Sequence, residues 1–530
     1  MMLPENFDGF TVHLVGVKGT GMCALAELLV ALGARVSGSD VEEEFYTDAI
    51  LAEIGVSVGI FDAGSDEMAN GGNVPSDAFA GVGGLSLLGD DVDFVIRSAA
   101  YDESNVVVAE AYRRGLPILS YPETLGELSC RYEAVAIAGV HGKTTTAAMA
   151  GILIRALGLP ATVVVGSAVS GFGNDEILLD SSDAVVSDAS TCEAREASTN
   201  STYRSVWRGG DRFLVAETCE YRLHFLHFSP KTVVLSSVES DHQDYFPDYA
   251  SINRAFVELC SRLPEDGELI YCFDDDGARD VAAQVVRRRP DIRMTPYGMR
   301  AEGKWRVEIG KSAGSNPFRL DAFDCDFRLR LPGRHSILDA VAALALVHSL
   351  CVGEPRFFDW TAARRALAEF RGSRRRSEII GEKNGLLVMD DYAHHPTSIT
   401  SFLEGLRDFY PSRRLIVDFM PHTYSRTAAL IESFTRCFDC IDILLLHPIY
   451  SSAREKYDGR IDGLTLWKKT SARRRKLERE DGQRETFYCK TLDQAAHTLG
   501  SILRAGDLFV TLGAGNNRSL GLRVLREYGE

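Results

Sequence analysis

Residues 134–146 read Ala-Val-Ala-Ile-Ala-Gly-Val-His-Gly-Lys-Thr-Thr-Thr. An apolar, β-prone run reaches Gly139, a bend containing Gly142 follows, and Lys143 with three threonines leads into Ala147-Ala148-Met149-Ala150. This spells strand, phosphate-sized loop, helix. Such a loop aims backbone N–H groups, a helix N-terminus and an ammonium at one point. The chemistry that uses this is a nucleoside triphosphate with Mg²⁺, with Lys143 on the β/γ-phosphates and the Thr144 hydroxyl on the metal. The spacing departs from the usual P-loop, because Ile137 stands where a glycine five residues before Gly142 is expected. The shortened form is either a plain loop or a subclass of phosphate cradle, and the flanking strand and helix weigh towards the cradle.

Length and composition bound the rest. A chain of 530 residues predicts three or four domains, each able to bury its own core. Hydrophobic content of 45% and charged content of 25% are those of a soluble globular protein. The net charge of −17 argues against nucleic-acid partners and anionic membranes. The opening Met-Met-Leu-Pro-Glu-Asn-Phe-Asp has no signal-peptide pattern, and no run reaches the roughly 18 apolar residues of a membrane span. A cytoplasmic protein without membrane insertion is expected. Eleven cysteines, an odd number, suggest reduced thiols. Cys437 and Cys440 form a C-x-x-C on an expected helix, with no second pair to complete a metal site.

Around the central loop the chain alternates strands and helices, the pattern of α/β units with parallel sheets. Near the N-terminus, Val12 to Val15 reads as a strand, and Gly16, Gly19 and Gly21 allow a tight turn into a helix from Ala24 to Leu32. That helix N-terminus could hold a diphosphate, or the turn could be purely structural. A second strand ends in Asp40, of the kind that binds a ribose hydroxyl, and Asp93 to Ala100 is a later strand ending at the same edge. Residues 174–211, rich in Asp, Ser, Thr and Glu, read as an inserted, mostly exposed segment.

In the central unit, Phe213 to Glu220 and Lys231 to His242 read as strands ending in Glu217, Glu220, Glu239, Asp241 and His242. Parallel α/β sheets bind ligands at the carboxyl ends of their strands, which brings Glu217 and His242 beside Lys143. Leu331-Pro-Gly-Arg-His335 precedes a long helix from Ala340 to Leu350. In the last unit, strand Leu386 to Met389 leads to Asp390-Asp-Tyr-Ala-His-His-Pro-Thr397 and a helix from Ser401 to Phe409. Strand Arg414 to Phe419 leads to Pro421-His-Thr-Tyr-Ser-Arg-Thr427, and Asp507 to Asn517 closes the unit. Asp390, His394, His395, Arg426 and Gly515 are thereby expected along one edge of one sheet. Trp467 to Glu485 is a charged run, expected as a solvated helix or loop.

Nine of these stretches, in order, resemble the Mur ligase family: V-G-V-K-G-T-G-M (Val15 to Met22), A-G-V-H-G-K-T-T-T (Ala138 to Thr146), E-T-C-E (Glu217 to Glu220), S-V-E-S-D-H (Ser237 to His242), L-P-G-R-H (Leu331 to His335), F-R-G-S-R-R-R (Phe370 to Arg376), D-D-Y-A-H-H-P-T (Asp390 to Thr397), P-H-T-Y-S-R-T (Pro421 to Thr427) and G-A-G (Gly513 to Gly515). The resemblance implies three α/β domains: an N-terminal Rossmann-like one for a UDP-sugar (1–130), a central P-loop ATPase-like one with a parallel sheet (131–369), and a C-terminal Rossmann-like one for an amino acid (370–530). It implies ATP-dependent amide formation between the lactyl carboxylate of UDP-N-acetylmuramate and L-alanine through an acyl phosphate, in peptidoglycan synthesis. The alternatives are a recycling ligase that adds a ready-made peptide to the same sugar, or a binding subunit without catalysis. A monomer or homodimer fits either.

The site residues follow from the same resemblance. Gly16, Gly19, Thr20, Gly21, Met22, Asp40 and Ser98 would take the UDP-sugar. Gly139, Val140, His141, Gly142, Lys143, Thr144 and Thr145 would cradle ATP, with Asp339 at the adenine. Thr144, Glu217 and His242 would hold Mg²⁺, or Mn²⁺, with Glu220 the alternative carboxylate. Arg376, Tyr392, His394 and Arg426 would serve the amino acid and acyl phosphate, with Lys143, His394 and Arg426 catalytic. One departure stands out: the family's Asn-x-x-Asn after Gly-Arg-His is Ser336 and Asp339 here, and an ionised Asp339 cannot donate to an adenine nitrogen.

Overall fold

The computed structural model describes residues 3–61, 87–173, 203–352, 357–450, 459, 461–481 and 484–528. The first sheet contains β1 (Thr11–Val15), β2 (Arg35–Asp40), β3 (Ser57–Ile60), β4 (Phe94–Arg97) and β5 (Ile118–Ser120), in the order β3-β2-β1-β4-β5 and parallel throughout. The central sheet contains β6 (Glu133–Ala138), β7 (Ala161–Ser170), β8 (Tyr203–Arg208), β9 (Phe213–Glu217), β10 (Thr232–Leu235), β11 (Glu268–Cys272) and β12 (Arg293–Tyr297). Their order is β12-β11-β10-β6-β9-β7-β8, with only β8 antiparallel. A small antiparallel sheet of β13 (Glu308–Ile309), β14 (Asn316–Leu320) and β15 (Cys325–Leu329) follows.

The last sheet has β16 (Glu378–Lys383), β17 (Leu386–Asp391), β18 (Leu415–Met420), β19 (Ile443–Leu446), β20 (Glu485–Tyr488) and β21 (Leu508–Gly513), in the order β16-β17-β21-β18-β19-β20. Strands β17, β21 and β18 are adjacent and parallel. The turns after all three therefore emerge at one edge, as the sequence predicted.

The central strand shows why this architecture was readable. Val135 to Ala138 of β6 are essentially fully buried, flanked by β10 and β9 and packed against helix Lys143–Leu157, on which helix Arg334–Cys351 lies in turn. A parallel strand covered on both faces must be apolar at every position, not at alternate ones. Helix Arg334–Cys351 begins earlier than expected, and its buried Ala and Leu face places it in the central core. It is the one helix among the described residues long and apolar enough to span a membrane by composition, and 67% of it is buried.

Some boundaries differ from expectation. Helix Pro396–Phe409 starts five residues before Ser401 because the His395 side chain caps it and Pro396 occupies its first turn, where a missing N–H costs nothing. Strands β9 and β10 stop at Glu217 and Leu235, leaving Glu220, Glu239, Asp241 and His242 in the loops beyond. Of the expected insertion at 174–211, residues 174–202 lie outside the described residues. Tyr203–Arg208 is no exposed insertion but the edge strand β8. Its Ser205 N–H donates to Glu27 Oε1 (3.0 Å), joining the central sheet to the first helix.

The charged run lies on helix Gly463–Asp481, which is more than a solvated element. Arg474 within it is fully buried and donates to Thr486 Oγ1 (2.9 Å) and to the carbonyls of Phe438, Ile441 (3.2 Å) and Asp442 (3.0 Å). The charge density of the sequence concealed one arginine that ties the ends of neighbouring elements. The helix expected to carry Cys437 and Cys440 ends at Phe434; Cys437 lies buried in the turn beyond it and donates to the Phe434 carbonyl, and every described cysteine is a free thiol.

Candidate active site

The loop between β6 and helix Lys143–Leu157 has the backbone of an anion cradle. Gly139 (φ 139°) and Gly142 (φ 81°) adopt conformations that side chains disfavour. A Cβ on Gly142 would lie 2.4 Å from Asp339 Oδ1. The loop is pinned from the turn just after β10, where the His141 N–H donates to Ser237 Oγ (2.8 Å) and the Ser236 hydroxyl donates to the His141 carbonyl.

Lys143 Nζ donates to the carbonyls of Gly139 and Val140 and to Glu220 Oε2 (2.9 Å). Burial pulls the ammonium's pKa down, but Glu220 first, with Cys219 and Glu217 adding to it, more than offsets this, and the pKa is raised above the ordinary lysine value. Burial likewise acts to raise Glu220, and Lys143 and then His242 hold it below the usual carboxylate value. The pair is thus ionised, with His242 Nε2 3.4 Å from the other Glu220 oxygen. Glu217 makes a separate arrangement: Oε1 accepts from the Thr144 hydroxyl (3.0 Å) and Oε2 from the Gly166 N–H (2.9 Å). The expected partner of His242 was Glu217, yet the carboxylate beside it is Glu220, because the chain turns away after β9 and returns Glu220 over the loop. Thr144, Glu217, Glu220 and His242 together offer oxygens and one imidazole, a donor set suited to Mg²⁺ or Mn²⁺.

Asp339 sits beneath the same loop. It is buried and accepts from Thr146 Oγ1 (3.3 Å), and burial pushes its pKa up to about 8. At neutral pH the carboxyl therefore keeps its proton and can donate as well as accept, as an asparagine would. Its contact with the loop glycine makes it a support of the cradle, a role the sequence did not suggest. Ser336 is turned inward and donates to the Pro332 carbonyl (2.7 Å).

The C-terminal sheet edge closes over this loop. Arg376 Nη2 lies 3.5 Å from Thr144 Oγ1, and its guanidinium carbon is 5.1 Å from the Tyr392 ring centre. His394 Nδ1 donates to the Tyr392 carbonyl (2.9 Å), leaving Nε2 to accept. Burial and the positive charge of Arg426 push the His394 pKa well below its ordinary value, so the ring is neutral at pH 7. Arg426 is buried, and its Nε and Nη2 both donate to Asp241 Oδ1 (3.0 and 2.9 Å). Asp241 sits far below the usual carboxylate range: burial opposes this, and Arg426 followed by His242 overrides it. Arg426 was expected as a free fork for a substrate carboxylate, but two of its donors already serve a central-domain aspartate. Gly515 packs against the Met420 side chain.

At the N-terminal sheet the glycine turn forms as expected. Gly16 (φ 82°) approaches Tyr101 so closely that a Cβ would lie 2.7 Å from the ring, while Gly19 and Thr20 are exposed. A Cβ on Gly21 would lie 3.3 Å from the Tyr121 ring. Met22 is only 3% exposed and belongs to the core. Asp40 is buried, and its carboxylate accepts from the N–H groups of Lys18 (2.7 Å) and Val41 (2.8 Å) and the Tyr101 hydroxyl (3.2 Å). It braces the turn with both oxygens engaged. Ser98 Oγ accepts from the Ala100 N–H (3.3 Å) beside that turn.

Three family profiles match the chain in succession: the "Mur ligase family, catalytic domain" at residues 11–133, the "Mur ligase middle domain" at 137–347, and the "Mur ligase, glutamate ligase domain" at 375–515. The chain belongs to the Mur ligase family.

Among its relatives in that family is a Treponema pallidum protein named UDP-N-acetylmuramate–L-alanine ligase. It is 46% identical over 99% of this chain and 98% of its own length. Two solved structures share the fold. A UDP-N-acetylmuramate–alanine ligase from Thermotoga maritima aligns with a TM-score of 0.70 over 98% of this chain and 99% of its own, at 21% identity. A murein peptide ligase from Psychrobacter arcticus aligns with a TM-score of 0.61 over 98% of both chains, at 22% identity. The shortened loop that departs from the general P-loop is thus that of a Mur ligase middle domain.

Proposed function

We propose that this Mur ligase joins L-alanine to the lactyl carboxylate of UDP-N-acetylmuramate, using ATP, in three units spanning residues 1–130, 131–369 and 370–530. The observation that carries the reading is the convergence of two half-sites. Lys143, Glu217, Glu220 and His242 stand at the carboxyl ends of the central strands, and His394 and Arg426 at the edge of the C-terminal sheet face them. The Arg426–Asp241 pair closes the gap. The full-length 46% identity to a protein named for this reaction supports the alanine-adding reading over the peptide-adding one.

A carboxylate is a poor electrophile, and transfer of the γ-phosphoryl group converts it to an acyl phosphate that an amine can attack. The loop N–H groups from Gly139 to Thr145 hold the phosphates, and Lys143 offsets charge on the group in flight. Lys143 reaches the phosphate oxygens by giving up its bonds to the Gly139 and Val140 carbonyls while keeping its contact to Glu220. Thr144, Glu217, Glu220 and His242 would hold Mg²⁺, which supplies charge neutralisation between phosphate and carboxylate when bound. On the other side, the free Nε2 of neutral His394 takes the proton of the alanine ammonium. Arg426, anchored by Asp241, has its remaining guanidinium nitrogen for the alanine carboxylate. Docking of the two domains keeps water from the acyl phosphate. Protonated Asp339 supports the loop and supplies the donor that the family's asparagine would give to adenine.

The test is phosphate release with ATP, Mg²⁺ and UDP-N-acetylmuramate, with L-alanine or the preformed tripeptide, beside a Lys143→Ala control. Release and amide product with L-alanine, lost in the control, is expected. Turnover only with the tripeptide would make the chain a recycling ligase, and turnover with neither would make it a binding subunit.

A further inference from the structure

Three side chains from separate segments meet at a point that the proposed ligase chemistry does not use. His141 comes from the phosphate loop, Glu239 from the segment after β10, and His395 from the turn after β17, and their donor atoms all lie within 4.8 Å of one another. Glu239 Oε1 contacts His141 Nε2 and lies 3.4 Å from His395 Nδ1. Glu239 Oε2 accepts from the Thr397 hydroxyl (2.9 Å), and His141 Nδ1 bonds Ser398 Oγ (2.9 Å). Glu239 and His141 are therefore each oriented by a neighbour on the far side, as outer-shell partners orient metal ligands.

The His395 ring decides the chemistry. Its Nδ1 accepts from the Thr397 N–H (3.4 Å) at the start of helix Pro396–Phe409, so Nδ1 carries a lone pair. That single lone pair is held only by this long contact, and Glu239 Oε1, a second acceptor, lies 3.4 Å from the same nitrogen, so a cation entering there takes the lone pair in exchange for the Thr397 N–H. The ring is 95% buried, with no partner on Nε2 among the described residues. Two imidazoles and a carboxylate converging on one point call for a cation. Zinc with nitrogen and oxygen ligands at about 2.0–2.1 Å in a tetrahedron separates adjacent donors by about 3.4 Å; the His395 Nδ1–Glu239 Oε1 separation is 3.4 Å, and the His141–Glu239 pair, in direct contact, has to open to that spacing as the ion enters. Magnesium prefers oxygen ligands and keeps its waters, which this nitrogen-rich set does not suit.

We propose that His141, Glu239 and His395 form a site for a first-row transition-metal ion of the Zn²⁺ class, with a fourth position open, that clips the phosphate loop to the C-terminal sheet. The direct His141–Glu239 contact is the proton-bridged form of this site, and the arriving ion displaces that proton to solvent. This ion is separate from the Mg²⁺ of the proposed reaction, which belongs to Thr144, Glu217, Glu220 and His242. Because the ligands span two domains, the bound ion stabilises their docked arrangement and slows the opening needed for product release.

The experiment is titration of the full-length, chelator-treated protein with Zn²⁺, and with Co²⁺ as a spectroscopic probe, without nucleotide or Mg²⁺. One ion per chain is expected, with a tetrahedral Co²⁺ absorption band and a rise in Tm. Glu239→Gln and His395→Gln each weaken binding at least tenfold and remove the Tm rise. Thr397→Val, at an exposed position, weakens binding severalfold and serves if either of the other variants fails to fold. Unchanged affinity in the variants that fold, or loss of binding in His242→Ala but not in His395→Gln, would overturn the assignment.

Discussion

Replacing Glu220 by Gln, with Glu217→Gln beside it, separates the two carboxylates around Lys143. Glu220 carries an ion pair, 2.9 Å to Lys143 Nζ, and a contact of 3.4 Å to His242 Nε2, and its side chain is 3% exposed. At an effective dielectric near 20, the lysine contact alone corresponds to roughly 6 kcal/mol of gross Coulomb energy. Breaking one partner of such a buried pair costs about 3–5 kcal/mol net. Glu217 instead accepts two hydrogen bonds from neutral donors, and a glutamine keeps one of them, so about 1–2 kcal/mol is lost. At about 1.4 kcal/mol per decade of rate, Glu220→Gln should lower kcat/KM by roughly two to three and a half decades, and Glu217→Gln by about one. Steady-state phosphate release over a Mg²⁺ series reads both, and Glu220→Gln should also need more Mg²⁺ for half-maximal rate. A Glu217→Gln defect equal to or greater than that of Glu220→Gln would refute the pairing.

Three other perturbations follow from the same geometry. Gly142→Ala combines a positive φ with a Cβ 2.4 Å from Asp339 Oδ1; loss of ATP binding by at least a hundredfold is expected in calorimetry, while far-ultraviolet dichroism stays unchanged. Asp339 has a folded pKa of about 8, above the unfolded value, so its stabilising contribution is full below about pH 4 and is lost as pH rises through about 8. Asp339→Asn should therefore raise Tm relative to the parent at pH 8 and not at pH 4, and an equal difference at both would contradict protonation. Asp241→Ala and Arg426→Ala should each lower kcat/KM for alanine by about two decades, and their double-mutant cycle should show a coupling of at least about 1 kcal/mol. Additive losses would mean that Asp241 does not position Arg426.

The chain's sequence by itself determined the alternation of elements and the strand-end location of the chemistry. Ala134 to Ala138 had to be apolar throughout because it is buried on both faces, and that run, with Gly142 and Lys143 after it, is legible without coordinates. The turns after β17, β18 and β21 were likewise legible, since each follows an apolar strand and carries polar residues. The tertiary structure alone decided which of these groups touch. Glu217 and Glu220 are three residues apart, and only the path of the chain beyond β9 assigns one to Thr144 and the other to Lys143 and His242. Asp241 and Arg426 are 185 residues apart, as Asp339 and Thr146 are 193, and no local pattern encodes such pairs. Burial also changes the chemistry of a residue without changing its name: Asp339 keeps a proton at pH 7, His394 loses one, and Arg474 in a charged helix is enclosed. Periodicity reports which face of an element is covered, whereas partner choice and proton affinity depend on the dielectric and the charges that distant segments bring to that face.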